Sequence, residues 1–393
     1  MFDAEMMPPP LDYDTLDRLR QTFASEGPIP AVQRLCDELR TTGDFGALFY
    51  ALLMKKRLEL GVAPFPTGPS SDLPTAVHEE YENSIREAGR EVGKSYLDRN
   101  DFHRAWTFYN MLGEPQAVID SIDRFEVSPD VDCQPIVEIA LHHGVNPKKG
   151  FDLVLSRYGI CSAITTVSSI DLSKKPEVFA HCVKRLIHSL YEQLQERLRS
   201  DIIARDEPDP GLVSVEKLLE NRPYLMADDA YHIDVSHLSS VMQMAMQLSD
   251  GEELHKAREL CRYGAGLSPS FQNFGEAPFE NGYRDFEAYL DVLIGDKRDA
   301  GLAHFRSKVD ALDDVDSSFP AEVFVNLLLK VDRLDEALAV AKKYLTKVPD
   351  PQLSCPGVYE LCHKANDYQS MMEVARERQD GVQMLAALAK MGK

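Results

Sequence analysis

The stretch that decides the fold is VGKSYLDRNDFHRAWTFY, residues 92–109. Gly93 and Ala105 lack bulk, so the backbones of two helices can approach each other closely at these positions. Asn100-Asp101 lies between them and is typical of a turn. Large side chains to fill the groove beside such a crossing stand at Tyr96 and Tyr109. The stretch therefore predicts an antiparallel helix pair.

Similar arrangements occur elsewhere in the chain. One consists of Val241, Ala245, Leu248, Leu254 and Ala257. Another runs from Phe324 through Ala337 to Pro349, although Val325 stands where a small residue is expected. Weaker matches to the same pattern lie at residues 42–45, 295–298 and 365–368. In the C-terminal part, equivalent positions recur about every 35 residues, which indicates internal repeats.

This pattern resembles the tetratricopeptide-repeat family, whose helix pairs repeat about every 34 residues. The resemblance covers about half of the chain, at residues 85–115 and 235–393, whereas residues 116–234 are either degenerate repeats or a helical insertion. It implies an all-α fold in which antiparallel helix pairs stack into a solenoid. The structural repeat positions are then Gly93, Tyr96, Ala105, Tyr109, Ala245, Ala257, Ala337 and Pro349.

The region after Pro176 has the clearest helical period. Apolar residues recur there every three or four positions as far as Ile202. Proline suits the first turn of a helix, and the polar, proline-containing stretch that begins at Asp206 ends the pattern. We therefore expect one long helix near residues 177–205, packed along several shorter helices as a spine.

Residues 160–170 are the best strand candidate, because Ile164-Thr165-Thr166-Val167 are β-branched. We nevertheless favour a helix there. Asn146-Pro147 opens a helical pattern, and Gly159 stands where that helix would be capped. Residues 160–169 would then form the returning helix of a pair.

Three stretches rich in proline and glycine indicate breaks between helical segments. They are residues 63–74, 206–211 and 267–282. The first is the best linker. These breaks predict an N-terminal helical segment at residues 1–62, helical repeats with the long helix at 75–205, and C-terminal repeats at 212–393.

The charge, the cysteine pattern and the N-terminal sequence limit the kinds of partner and compartment that we expect. The 64 Asp and Glu against 43 Lys and Arg give a net charge of -21, which disfavours nucleic acid and anionic membranes as partners. The same acidity also serves simple solubility. The seven cysteines form no C-x-x-C pair, as in a reducing compartment. The acidic, proline-containing start does not resemble a signal peptide, so we expect a cytoplasmic protein.

Catalytic motifs are missing from the sequence: it has no phosphate-binding glycine loop, no G-x-S-x-G turn and no H-E-x-x-H helix. Carboxylates and imidazoles suited to a zinc, iron or manganese ion cluster at Asp229, His232, Asp234 and His237. The competing interpretation gives Asp234 the role of a helix cap.

A second cluster could bind an anion or an acidic peptide. It comprises His142, His143, Lys148, Lys149, Arg157, Thr165 and Thr166. The alternative is that the lysines solvate the start of a helix and the hydroxyls bond to their own helix backbone.

We therefore expect a non-catalytic scaffold that binds a partner protein or peptide in a groove of the helical array and that needs no cofactor. Two alternatives stay open. One is a metal-dependent enzyme that uses the cluster at residues 229–237. The other is a subunit of a larger assembly or homodimer, docked through residues 178–202. The partner and the oligomeric state are left open.

Overall fold

The computed structural model describes residues 10–65, 73–126, 128, 132–227, 229–272, 275–311 and 317–392. Helices account for 73% of these residues and no strand occurs among them, so the predicted all-α class is confirmed. The strand candidate at residues 160–170 is therefore helical. None of the helices in these ranges is both long enough and apolar enough to cross a bilayer.

The chain divides into two compact units, Met1–Arg157 and Tyr158–Lys393. The boundary lies beside Gly159, where positive φ (80°) interrupts the helix Pro147–Ser169. A glycine adopts this backbone conformation without the steric cost that a Cβ atom would add. The break that the sequence predicts at Gly159 is confirmed.

The first unit consists of short helices that pack on their neighbours along the chain. They are α1 (Tyr13–Glu26), α2 (Pro28–Thr42), α3 (Phe45–Glu59), α4 (Thr75–Leu97), α5 (Phe102–Leu112), α6 (Gln116–Arg124) and α7 (Gln134–Val137). A π-helical turn, Glu138–His142, follows, and α8 (Pro147–Ser169) passes the boundary between the units. Part of the predicted linker, residues 66–72, lies outside the described ranges.

The α4–α5 pair shows why the small residues stand where they do. A Cβ atom added to Gly93 would lie 2.9 Å from Cε2 of Tyr109. Ala105 is completely buried, and Tyr96 and Tyr109 are buried beside it. The turn ends at Asp101, whose carboxylate accepts a hydrogen bond from the Arg104 backbone N–H at 3.1 Å and so caps α5.

The second unit follows the same neighbour-on-neighbour order. Its helices are α9 (Pro176–Ala204), α10 (Val215–Leu219), α11 (Val235–Ala245), α12 (Glu253–Gly266), α13 (Tyr283–Ile294), α14 (Arg298–Asp310), α15 (Phe319–Lys330), α16 (Leu334–Tyr344), α17 (Val358–Ala365), α18 (Tyr368–Glu377) and α19 (Gly381–Met391).

The long helix predicted near residues 177–205 is α9, which packs against α10, α11 and α12. Its apolar stripe, which includes Leu186, Leu190, Leu194 and Leu198, is buried. All three of these helices belong to the same unit as α9. The predicted break at residues 206–211 also lies within this unit, where Arg199 holds the carboxylate of Asp209.

The predicted break at residues 267–282 carries a short 3₁₀ helix, Pro269–Phe271, and residues 273 and 274 lie outside the described ranges. Its C-terminal end is tied down by a buried carboxylate. Asp285 accepts hydrogen bonds from the Asn281 backbone N–H at 2.8 Å, from Lys308 Nζ at 2.9 Å and from His304 Nε2 at 2.7 Å. A buried carboxylate needs such partners, because an unpaired one would carry a large desolvation penalty. This cluster fixes α13 to α14.

Candidate functional site

The second unit carries an open surface groove of about 500 Å³. One wall is a single face of α16, with spacing i, i+3, i+4, i+7 and i+8. It consists of Asp335, Leu338, Ala339, Lys342 and Lys343. The other wall is the turn between α17 and α18, which contributes Ala365 and Asp367. The volume falls in the range of ordinary ligand sites.

The α17–α18 wall is built by two capping residues. Asn366 ends α17 in the left-handed conformation (φ 55°), which asparagine tolerates better than most residues. Asp367 then caps α18, because its carboxylate accepts a hydrogen bond from the Ser370 backbone N–H at 2.9 Å. Hydrogen bonds from the Ser370 side chain and backbone lower the pKa of Asp367, so this carboxylate is charged at neutral pH.

The width of the groove is set by contacts between its walls. Lys342 Nζ, on α16, donates a hydrogen bond to Ser370 Oγ, on α18, at 2.6 Å. Arg378 holds the connection after α16, where it donates to the carbonyl of Thr346 at 2.6 Å and to the carboxylate of Asp350 at 2.8 Å. Because these contacts are made by the chain itself, the groove is formed before any ligand binds.

The lining combines an apolar floor with a mixed-charge rim. Leu338, Ala339 and Ala365 form the floor, and the two alanines leave room for an incoming chain. Lys343 Nζ lies 3.3 Å from a carboxylate oxygen of Asp310 and 4.6 Å from the ring centroid of Tyr344, so its position is held as well. The lining contains no serine, cysteine or histidine. This mixture of apolar and charged side chains is the kind that recognises a partly apolar, charged segment.

Two of the four residues proposed from sequence as metal ligands, His232 and Asp234, have other side-chain partners. His232 is nearly buried, with Nε2 3.4 Å from Asp201 Oδ2 and Nδ1 3.3 Å from the hydroxyl of Tyr263. The carboxylate of Asp234 accepts hydrogen bonds from the backbone of Ser236 and of His237, which makes it the cap of α11. Across the part of the chain that the structure describes, no three His, Cys, Asp or Glu side chains are grouped to hold a metal ion.

The other two residues of that set, Asp229 and His237, are described through their backbone alone, and His237 lies in the first turn of α11. Asp229 adopts a positive φ of 60° in the loop before α11. The network around His232 instead joins this loop to α9 and α12, since Asp201 belongs to α9 and Tyr263 to α12. The Tyr263 hydroxyl accepts the His232 backbone N–H at 2.7 Å, and burial raises the pKa of Tyr263 to about 12. The contacts at His232 therefore stabilise packing.

The residues proposed for anion binding belong to different parts of the chain. His142, the last residue of the π-helical turn, and His143, which follows it, are exposed. Lys148 and Lys149 lie in the first turn of α8. Arg157 is the last residue of the first unit. Thr165 and Thr166 belong to the second unit, and the Thr165 hydroxyl donates to the carbonyl of Cys161 at 3.0 Å. Anion binding by this set stays a prediction.

The repeat positions other than Pro349 lie inside the helix packing. Ala245, Ala257 and Ala337 are completely buried. Helix α16 ends at Tyr344, and Pro349 precedes the 3₁₀ helix Asp350–Gln352 instead of ending α16 itself. The groove was missed by the sequence interpretation, although both of its walls carry repeat motifs. The available signal was Ala339, a small residue on the helix face that also carries Asp335, Lys342 and Lys343.

No model of a known protein family matches the chain, and no curated protein is significantly similar to it. The functional inference therefore depends on the geometry of the groove.

Proposed function

We propose that this chain is a non-catalytic protein–protein interaction scaffold that binds a peptide or helix of a partner protein in the groove between α16 and the α17–α18 turn. The observation that carries this proposal is an open groove with an alanine-rich floor and charged side chains at its rim. Grooves of this kind accept the apolar face of an amphipathic segment, while charges at the edge fix its direction.

The charged side chains at the rim indicate which charges the partner segment should carry. Asp335 stands near the start of α16, whereas Lys342 and Lys343 stand near its end. A partner with a basic residue at one end and an acidic residue at the other would match both. A purely acidic partner is disfavoured, because the net charge of -21 repels it at long range.

The tetratricopeptide-like architecture is part of the same proposal. Consecutive helices pack in pairs, and α13 also contacts α15, as expected when the first helices of successive pairs lie side by side. The buried alanines at the pair crossings support stacking into a solenoid. Seven cysteines without disulfide partners support a reducing compartment such as the cytoplasm.

A peptide-display selection on the full chain tests the groove. Enriched peptides are synthesised with a fluorophore and titrated with the wild-type chain and with Ala339→Trp, which fills the groove. We expect Ala339→Trp to weaken binding at least about tenfold, or roughly 1.4 kcal/mol. Ala24→Trp places the same side chain at an exposed site of α1 and should bind like wild type. Enrichment of no peptide, or equal binding by Ala339→Trp, would overturn the proposal.

A further inference from the structure

Helix α16 carries four charged side chains, and two of them are already paired within the chain. Glu336 accepts hydrogen bonds from Arg306 Nη2 and from Arg333 Nη1, each at 2.7 Å. Lys343 Nζ forms the ion pair with Asp310 described above. These contacts stabilise the surface around the groove and leave little of either charge for a partner.

The other two charged side chains of α16, Asp335 and Lys342, both line the groove and are not paired. In the part of the chain that the structure describes, no cation lies within 4 Å of the Asp335 carboxylate and no carboxylate lies that close to Lys342 Nζ. Asp335 is exposed, and Lys342 donates to the uncharged hydroxyl of Ser370. The carboxylate of Asp367, which also lines the groove, is engaged with the backbone of α18. One negative and one positive charge on α16 are therefore available to a ligand.

The spacing of these two charges limits the form of the ligand. Asp335 and Lys342 are seven residues apart on one helix, which separates them by roughly 10.5 Å along its axis. In an extended segment this distance corresponds to about three residues, and side chains at i and i+3 of a strand point to opposite faces. In a helix it corresponds to about seven residues, whose side chains share a face with those at i+3 and i+4. A helix can therefore present both matching charges to the groove, whereas an extended segment cannot.

Helix dipoles determine the direction of such a ligand. An acidic residue is favourable in the first turn of a helix, and a basic residue is favourable in its last turn. A helix with this order meets Lys342 with its first turn and Asp335 with its last turn only if it runs antiparallel to α16. Its side chains at i+3 and i+4 then face Leu338 and Ala339, which lie between the two charges.

We propose that the groove recognises an amphipathic partner helix that runs antiparallel to α16, with an acidic residue at position i, apolar residues at i+3 and i+4, and a basic residue at i+7. This inference rests on the proposed function of the groove and adds the form, direction and charge order of the partner. The acidic residue pairs with Lys342, and the basic residue pairs with Asp335. Both pairs lie at the open rim, so added salt weakens the preference for this charge order.

Two helical peptides of identical composition test the charge order. Both carry a fluorophore and leucine at i+3 and i+4. One has glutamate at i and lysine at i+7, and the other has these two residues exchanged. A hydrocarbon staple on the opposite face holds both in helical form, because short helices are marginal in water. The net charge of -21 acts equally on both peptides, since their own charges are equal.

Fluorescence polarisation with the full chain at low salt measures the two affinities. The glutamate-first peptide should bind about tenfold more tightly, because the exchange turns two attractions into two repulsions of similar size. Asp335→Lys, at an exposed and unpaired position, should fold like wild type by circular dichroism and bind the two peptides about equally. Adding Lys342→Glu to this variant should reverse the preference. Lys55→Glu/Glu59→Lys exchanges an ion pair of α3 and should keep the wild-type preference.

Ala339→Trp distinguishes failure of the charge order from failure of the groove. Equal binding of the two peptides by wild type, or a preference that Asp335→Lys leaves unchanged, overturns the charge order alone if Ala339→Trp still weakens binding. Binding that Ala339→Trp does not weaken overturns the groove and this inference with it. If neither helical peptide binds, but display-selected peptides bind and Ala339→Trp blocks them, the helical form of the partner is overturned and the groove remains.

Discussion

The α4–α5 pair and the α18–α19 pair are both helix hairpins in which an aspartate caps the second helix, yet one is covered and the other is open. Helix α5 packs on α4, α6 and α7, and Gly93 is enclosed by Tyr109 and Phe108. Helix α19 packs on α18 and leaves Val382 and Leu385 exposed. The difference teaches that neighbouring helices, and not the hairpin itself, decide whether the second helix of such a pair is covered.

The largest expected effect breaks the covered pair. Gly93→Leu forces a side chain into a space where even a Cβ atom would lie 2.9 Å from Tyr109, so it should destabilise the first unit by about 3 kcal/mol. Gly381→Leu is the matched control on α19, where no atom lies within 4 Å, and it should leave stability nearly unchanged. Urea unfolding followed by circular dichroism measures both. Equal losses in the two variants would contradict the comparison.

A smaller effect tests one helix cap of the same kind in each unit. Asp101 caps α5 and Asp367 caps α18, each through one backbone N–H three residues on. Replacement of either aspartate by alanine should cost about 1 kcal/mol in unfolding free energy. The Asp101→Ala loss should appear in the first unit and the Asp367→Ala loss in the second, which hydrogen exchange resolved by peptide distinguishes. A loss confined to one of the two variants would mean that the two caps are not equivalent.

The pH dependence of the second cap follows from its electrostatics. The hydrogen bonds from Ser370 hold the pKa of Asp367 below its usual value in the folded chain. The stabilisation is complete above the ordinary aspartate pKa and disappears as pH falls through the lowered value. The stability difference between wild type and Asp367→Asn, which keeps a capping side chain, should therefore shrink in acid. A difference that grows as pH falls would contradict this assignment.

The smallest effect concerns the open face. Leu385→Gln should change the unfolding free energy at low protein concentration by no more than ~0.5 kcal/mol, since the residue is 67% exposed. Val92→Gln buries an amide at a position with no solvent exposure in α4 and should cost much more. Thermal unfolding at matched, dilute concentrations measures both variants. A large loss for Leu385→Gln would show that this face is covered within the chain itself.

Sequence reasoning succeeded where the signal is local. The long helix α9 follows from apolar spacing after Pro176, and the break in α8 follows from Gly159. The α4–α5 crossing follows from small residues at Gly93 and Ala105. In each case the residues that determine the feature lie in the same short stretch as the feature itself, because helical period and capping act over a few residues.

Sequence reasoning did not locate the groove, and it gave too much weight to His232 as a metal ligand. The groove needs Ala339 on one helix and Ala365 on the next, with Lys342 bonded to Ser370 across them. His232 resembled a metal ligand among neighbouring carboxylates, but its ring meets Asp201 and Tyr263, which lie far from it in sequence. Side-chain type alone does not reveal which distant residue a histidine will meet.

The sequence by itself determined the helices, their caps and the positions where two of them must cross closely. Only the tertiary structure decided which helix faces remain open, as at α19 and in the groove beside α16. The physical reason is that helix formation depends on residues within a few turns, whereas the exposure of a face depends on every segment that folds back against it.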